Sequence, residues 1–258
     1  MDTIYQHFRP DEKEFIDQVL SWRLDVENSY VPKLSDFLDP RELQIVQTII
    51  GKNNEIKCAA YGGTDNAERQ RAIIFPDYFQ PDVDDFQLTL FQLKYASKFL
   101  SIGHRQILGT LMSLGVKREK FGDILIQEDN IQLIVAKEMA HYVQLQFDQV
   151  GKASVELVEI PLEEVIQPKN EWKMVQKTVS SLRLDAVLSA FIHVSRQKAR
   201  TLILSEKVKV NWKHVSEPAF LCEENDTISI RGFGRCKIMT LRGTTKKGKW
   251  RIEVGKLK

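Results

Sequence analysis

Residues 183–211 read RLDAVLSAFIHVSRQKARTLILSEKVKVN. Leu184, Val187, Leu188 and Phe191 recur at i, i+3, i+4 and i+7, which predicts a short helix with one buried face. Ser180 or Ser181 is placed to cap its start, and Asp185 in the first turn suits the positive end of the helix dipole. Ser195 predicts the cap of a second helix whose buried stripe is Ala199, Leu202 and Ile203, the small Ala199 letting the two helices approach. Arg196 and Arg200 are i, i+4 neighbours on one edge of that stripe. Like charges there oppose each other by a few tenths of a kcal/mol, so the pair suits an incoming anion better than an optimised helix. KVKVN then alternates, with Val208 and Val210 on one side and Lys207 and Lys209 on the other. A turn through His214 and Pro218, then Asn225-Asp226, leads to a strand over Thr227–Arg231.

The formal net charge of +2 conceals a strong polarity along the 258 residues. Residues 1–90 hold 9 Lys+Arg against 17 Asp+Glu, and residues 181–258 hold 17 against 7. The C-terminal third has a reason to meet a polyanion, whereas the acidic N-terminal third should avoid bare phosphate. Cys58, Cys222 and Cys236 are far apart and odd in number, so they fit neither a disulfide framework nor a zinc site. They read as reduced thiols of a cytoplasmic protein. No apolar run approaches the ~20 residues that cross a bilayer, so no membrane partner is expected. MDTIYQHFRPDEKEF has neither a basic n-region nor an apolar h-region, so no secretory leader is expected either.

Upstream of the basic third the organisation is α+β. Residues 11–28 place Phe15, Val19, Leu20 and Trp22 on one helical face. Asp39-Pro40 opens a second helix, N-cap then N1, that ends at Gly51. Strands Ile56–Tyr61 and Arg71–Phe75 follow, joined by a Gly-Gly loop. PDYFQPDVDDF is an acidic loop marking a boundary, and its Asp82, Asp84 and Asp85 lack calcium-loop spacing. Then FQLTLFQLKY alternates like a strand and His104–Leu114 has helical spacing. Strands Gly122–Gln127 and Ile131–Val135, a helix Lys137–Phe147 and a strand Ser154–Ile160 complete a ferredoxin-like βαββαβ order. Its third strand, IQLIVAK, lacks the aromatics on which RNA-recognition motifs stack bases. The expected divisions are 1–82, an N-terminal α/β subdomain; 83–165, the ferredoxin-like domain; 166–180, a linker and leading strand; and 181–258, the basic domain.

The distributed pattern Arg183-Leu184-Asp185 with Leu188, Ser195-Arg196 with Ala199, Val208-Lys209-Val210-Asn211, Pro218 and Asp226 resembles the S4 (αL-type) RNA-binding domain. Glu206, Trp212 and Asn225 depart from it, standing where that domain commonly has glycine. The departures predict differently bent loops and put an acid, Glu206, near the RNA face. The tail GRCKIMTLRGTTKKGKWRIEV adds a basic β-hairpin between Lys237–Leu241 and Trp250–Val254. With Gly103 to Leu111 and Gly122-Asp123-Ile124, the whole chain resembles the YlmH family of bacterial S4 proteins. That resemblance implies ribosome-associated RNA binding, linked to stalled large-subunit complexes that still hold peptidyl-tRNA, and in some bacteria a cell-division gene neighbourhood. It implies ribosomal RNA of the large subunit as partner, with peptidyl-tRNA a further contact. A monomer is expected.

Arg183, Arg196, Arg200 and Lys207 form a candidate fork set for phosphate oxygens, arginine for bidentate contacts and lysine as point charge. The wider candidate RNA-binding set adds Ser195, Lys198, Lys209, Asn211, Lys213, Arg231, Arg235, Lys246, Lys247 and Lys249. His104 and Arg105, after Gly103 at a helix start, are a second candidate contact. Trp172 and Trp250 read as packing residues. No P-loop, GxGxxG, GxSxG or paired acid–base constellation is present, so neither a catalytic residue, a metal nor a cofactor is expected. Two other readings remain open: an RNA-modifying enzyme with an unrecognised site in residues 1–165, and a cell-division adaptor.

Overall fold

Hydrophobic periodicity sets most elements, and their faces decide the layers. A computed structural model describes residues 4–51, 55–167 and 172–257. The chain divides into two compact units, Met1–Pro168 and Lys169–Lys258. Residues 168–171 of the expected linker lie outside the described residues.

The first unit begins with α1 (Lys13–Ser29), β1 (Lys33–Leu38), α2 (Pro40–Ile50), β2 (Ile56–Tyr61) and β3 (Gln70–Pro76). Asp39 caps α2 as expected, accepting from the Arg41 and Glu42 amides while Glu42 reaches back to Asp39. The strands pair antiparallel in the order β1-β3-β2. β1 is an addition to the sequence reading; a register shift between Leu34 and Phe37 breaks its alternation. Ile16, Val19 and Val26 of α1 and the α2 stripe pack with Ala72 and Ile74 on one sheet face. Ile16 and Val26 are buried beside Val19, and Phe15, Leu20 and Trp22 are partly buried against the same cluster, as their shared face predicts.

The chain continues as β4 (Leu88–Lys94), α3 (His104–Ser113), β5 (Phe121–Gln127), β6 (Asn130–Ala136) and α4 (Lys137–Gln146). A small hairpin, β7 (Gln149–Val150) with β8 (Ala153–Ser154), precedes β9 (Glu156–Ile160), so the expected last strand is split. The order β5-β6-β4-β9, antiparallel throughout, is the ferredoxin-like arrangement. Phe91, Leu93, Leu133 and Val135 face α3 and α4. The alternating residues Leu88, Leu90, Ile134 and Ala136 pack against Phe37, Ile73 and Phe75 of the N-terminal strands. FQLTLFQLKY is therefore a strand buried on both faces rather than a half-exposed one. Gly122 permits the approach, because a Cβ there would stand 2.8 Å from the Phe37 ring.

Charged side chains close this layer. Arg71, buried, donates to the Ser35 and Gln87 carbonyls and pairs with Glu138 at 3.3 Å. Lys120 bridges Asp36 and Glu138. Asp123 accepts from the Glu68 and Arg69 amides, and burial pushes its carboxyl up to about 6.

The second unit contains β10 (Trp172–Val179), α5 (Leu184–Ile192), α6 (Arg196–Leu204), β11 (Val208–Val210), β12 (Lys213–His214), β13 (Thr227–Ile230), β14 (Gly234–Thr244) and β15 (Trp250–Leu257). They form a six-stranded antiparallel sheet, β10-β15-β14-β13-β11-β12. Leu184, Val187, Leu188, Ala199, Leu202 and Ile203 of the helices cover one sheet face, meeting Val208, Val210, Ile228, Ile230 and Ile238. The Trp172 side chain lies against Gly255, where a Cβ would come within 3.0 Å of it, and Trp250 is partly buried against the core.

Candidate nucleic-acid interface

The first turn of α5 buries five consecutive residues, Leu184 to Leu188, and one of them is an acid. Asp185 is 1% exposed. Arg183 reaches it with Nε at 3.2 Å and Nη2 at 3.1 Å, and Arg196 with Nη2 at 3.0 Å. Arg200 stands further off, its Nε 3.8 Å from Oδ2. Burial alone would raise the Asp185 carboxyl, but the hydrogen bonds from Arg183 and Arg196 outweigh it and hold the group below its usual range. Three guanidiniums thus share one carboxylate while their side chains stay 34%, 49% and 50% exposed. Glu217 adds a weaker negative field at Arg183, and the remaining positive charge faces water, with Arg183 and Arg196 oriented by their hydrogen bonds to Asp185. Such a fork loses less conformational entropy when it grips a phosphate.

Two expectations change here. Asp185 is the hub of the arginine cluster, not merely a dipole partner, and the anion that Arg196 and Arg200 tolerate each other for is inside the chain. Nor does a serine cap α5. The N-cap is Arg183, without a side-chain cap, and the first amides, of Leu184 and Asp185, donate to the Phe220 and Pro218 carbonyls. The proline turn thereby does the work of a capping side chain.

The second helix agrees with its sequence. Ser195 Oγ accepts from the Lys198 amide at 3.2 Å, so its hydroxyl is engaged in the cap. Lys198, Lys207 and Lys209 are exposed. Asn211 is reassigned: it is buried, its Nδ2 donates to Asp226 Oδ1 at 2.7 Å, and its Oδ1 accepts from the Thr227 amide at 2.9 Å. Both ends of that amide are spent tying the loop after β11 to the start of β13, which makes Asn211 scaffold rather than contact surface.

The sheet face away from the helices is the other part of the site. Cross-strand register aligns His214, Lys209, Ser229 and Arg235 in one row. Their neighbours Val208, Val210, Ile228, Ile230 and Cys236 fill the core, so the row points the opposite way. The Arg235 guanidinium lies 5.9 Å from the centroid of the Trp212 ring. Lys213 and Arg231 are exposed nearby in the chain, and the Arg231 amide donates to the Lys207 carbonyl. The basic hairpin forms as expected, with Thr245 and Gly248 closing the turn and Lys246, Lys247 and Lys249 exposed on it.

The departures from glycine also acquire a physical meaning. Glu206, Trp212 and Asn225 all have left-handed backbones, with φ of 55°, 65° and 70°. The loops keep the bend that glycine would favour, contrary to the expectation of altered loops, at a cost of about 1 kcal/mol for each non-glycine residue.

His104 and Arg105 belong to the first unit and are exposed in the first turn of α3. The Gly103 amide is taken by Gln106 Oε1 at 2.9 Å. The sheet face on which RNA-recognition motifs stack bases is filled by Phe37, Ile73 and Phe75. Any RNA contact of this unit must use another surface. Asp82 and Asp85 spend carboxylate oxygens on the amides of their own turn, and among the described residues no group of three or more His, Cys, Asp or Glu could hold a metal ion. Burial pushes the Cys58 and Cys236 thiols up to about 12.

Sequence reading missed two residues, Asp185 as a hub and Trp212 as the partner of Arg235. An acid inside the apolar run LDAVL was the available signal for the first. For the second it was a tryptophan in the second slot of an Asn-X hairpin turn, where glycine is usual.

Family models match three stretches of the chain: residues 11–79, described as "YlmH, N-terminal"; residues 81–164, described as "Putative RNA-binding domain in YlmH"; and residues 182–228, described as "S4 domain". A curated relative, "Ribosome-associated protein quality control protein P2" of Bacillus subtilis (strain 168), is 49% identical over 252 residues, 98% of either chain. A solved structure, "Cell division protein ylmH from Streptococcus pneumoniae", is 33% identical with a TM-score of 0.56, covering 64% of this chain and 99% of that one.

Proposed function

The chain belongs to the YlmH family, and from that premise we propose that it is a ribosome-associated RNA-binding protein whose S4 domain docks on large-subunit ribosomal RNA. In this reading it serves quality control in the cytoplasm on stalled large-subunit complexes that retain peptidyl-tRNA, and it acts by binding rather than by catalysis. The observation that carries the reading is the set of three half-exposed arginines held on the buried Asp185. A-form RNA hides its base edges in a deep, narrow groove, so a fixed array of guanidiniums recognises it through phosphates and shape. The exposed Lys198, Lys207, Lys246, Lys247 and Lys249 add point charge. The name of the Bacillus relative supports the ribosomal setting. No helix among the described residues is long and apolar enough to cross a membrane.

Co-sedimentation with separated ribosomal subunits across a salt series tests this. An interface that neutralises about five phosphates should lose on the order of a hundredfold or more in affinity between 50 and 200 mM salt. Salt-sensitive binding to the large subunit is expected. Binding to neither subunit, or binding indifferent to salt, would overturn the proposal.

A further inference from the structure

β11 and β12 are joined by two residues, Asn211 and Trp212, both with left-handed backbones at φ 47° and 65°. That is the backbone of a type I′ hairpin turn, whose second position is best served by glycine. A large aromatic side chain is held there against its conformational preference. The first position has a structural explanation, since the Asn211 amide ties the turn to Asp226 and Thr227. The core gives none for the second: Trp212 is only partly buried and is absent from the hydrophobic cluster that α5 and α6 build on the sheet. Instead its ring is paired with the Arg235 guanidinium, in the row of Lys209, Ser229 and His214 on the sheet face away from those helices.

We propose that Arg235 and Trp212 form a stacking platform for an unpaired RNA base, on a face separate from the arginine fork around Asp185. Guanidinium planes and aromatic rings both accept a stacked base, and Lys209 of the same row supplies charge for a flanking phosphate. The inference rests on the RNA-binding reading above and adds the feature recognised: a helix interrupted by a bulged or looped-out nucleotide, rather than a continuous duplex. A strained residue kept at the edge of a basic face is the kind of backbone outlier from which a binding role is inferred.

The test uses the full-length protein and two RNAs, a perfect stem and the same stem carrying one bulged nucleotide, with affinity measured across a salt series. Wild type should prefer the bulged stem by roughly tenfold, in the range of one base–aromatic stack. Trp212→Gly should lose that preference, weakening the bulged stem roughly tenfold more than the perfect stem, and melt within a few degrees of wild type because turn strain is relieved. Trp212→Phe should retain part of the preference. Arg235→Lys, which keeps charge but not the planar surface, should lose it. Salt-sensitive binding of both RNAs with equal affinity, or a preference that survives Trp212→Gly, would overturn the platform alone. Failure of wild type to bind either RNA in a salt-sensitive way would overturn the RNA-binding reading itself.

Discussion

In the ferredoxin-like sheet, the face away from α3 and α4 carries Leu88, Leu90, Ile134 and Ala136 and is buried under Phe37, Ile73 and Phe75. In the sheet of the second unit, the face away from α5 and α6 carries His214, Lys209, Ser229 and Arg235. Both sheets have helices on one side, and their alternating residues decide what happens on the other. Apolar residues at every second position commit a face to packing, whereas cations there leave it for a ligand. The ion clusters differ in the same way. Arg71 is spent on the Ser35 and Gln87 carbonyls and on Glu138. Around Asp185, three half-exposed arginines share a single acid. Basic composition alone does not nominate a candidate interface; surplus charge held at a surface does.

The covered sheet is the most sensitive point. Phe37→Ala removes a fully buried ring between the two sheets of the first unit and should cost about 3–5 kcal/mol in urea denaturation. A loss below about 1 kcal/mol would mean that the layers do not share a core. Next is Asp185→Asn. It removes the carboxylate that three arginines share, and a stability loss of about 2–3 kcal/mol is expected, because the arginines remain partly solvated. Charge counting predicts that this variant binds RNA more tightly, while a fork that needs its hub predicts weaker binding; an affinity titration separates the two.

Acid should act through Asp123 and Asp185 with opposite sign. The Asp123 carboxyl is raised in the folded state, from 3.8 to about 6, so protonation favours folding. Asp123 should add stability to the first unit as pH falls from 7 through 6 to 5, by roughly 1 kcal/mol over that window. Asp123→Asn should flatten that gain in thermal melts. Asp185 is lowered from 3.8, so the stability it lends to the second unit is present above that value and is lost as pH falls below it. A first unit that weakens steadily from pH 7 to 5 would contradict the assignment. The smallest effect is at Glu206, where glycine relieves a left-handed backbone and should leave stability unchanged or raise it by up to about 1 kcal/mol. A loss above 1 kcal/mol in Glu206→Gly would show that the side chain is held by something other than the turn.

The S4 helices and the KVKV strand were legible because their periods, 3.6 and 2, are local. The ferredoxin-like order was legible for the same reason. β1 was not, because its register shift breaks alternation between Leu34 and Phe37. The second buried face of β4 was not, because Leu88 and Leu90 meet Phe37 and Ile73 from the N-terminal strands. Local periodicity cannot show which distant layer covers a strand. The candidate site divides the same way. Arg183, Arg196, Arg200 and the lysines could be nominated by residue type, whereas the role of Asp185 depends on a helix crossing that brings residues 183, 196 and 200 to one carboxylate. Asn211 had the composition of a contact residue, and only its two buried hydrogen bonds reveal it as scaffold.

Phosphate gripping by the arginine fork is best probed at Arg200, whose 3.8 Å approach to Asp185 makes it the least structural of the three. The measurement is the slope of log affinity against log salt for large-subunit binding, wild type beside Arg200→Gln, with thermal melts in parallel. The predicted result is an unchanged melting curve, a roughly tenfold loss of affinity at low salt and a slope shallower by about one phosphate contact. An affinity and slope equal to wild type would contradict the claim and remove the fork from the interface.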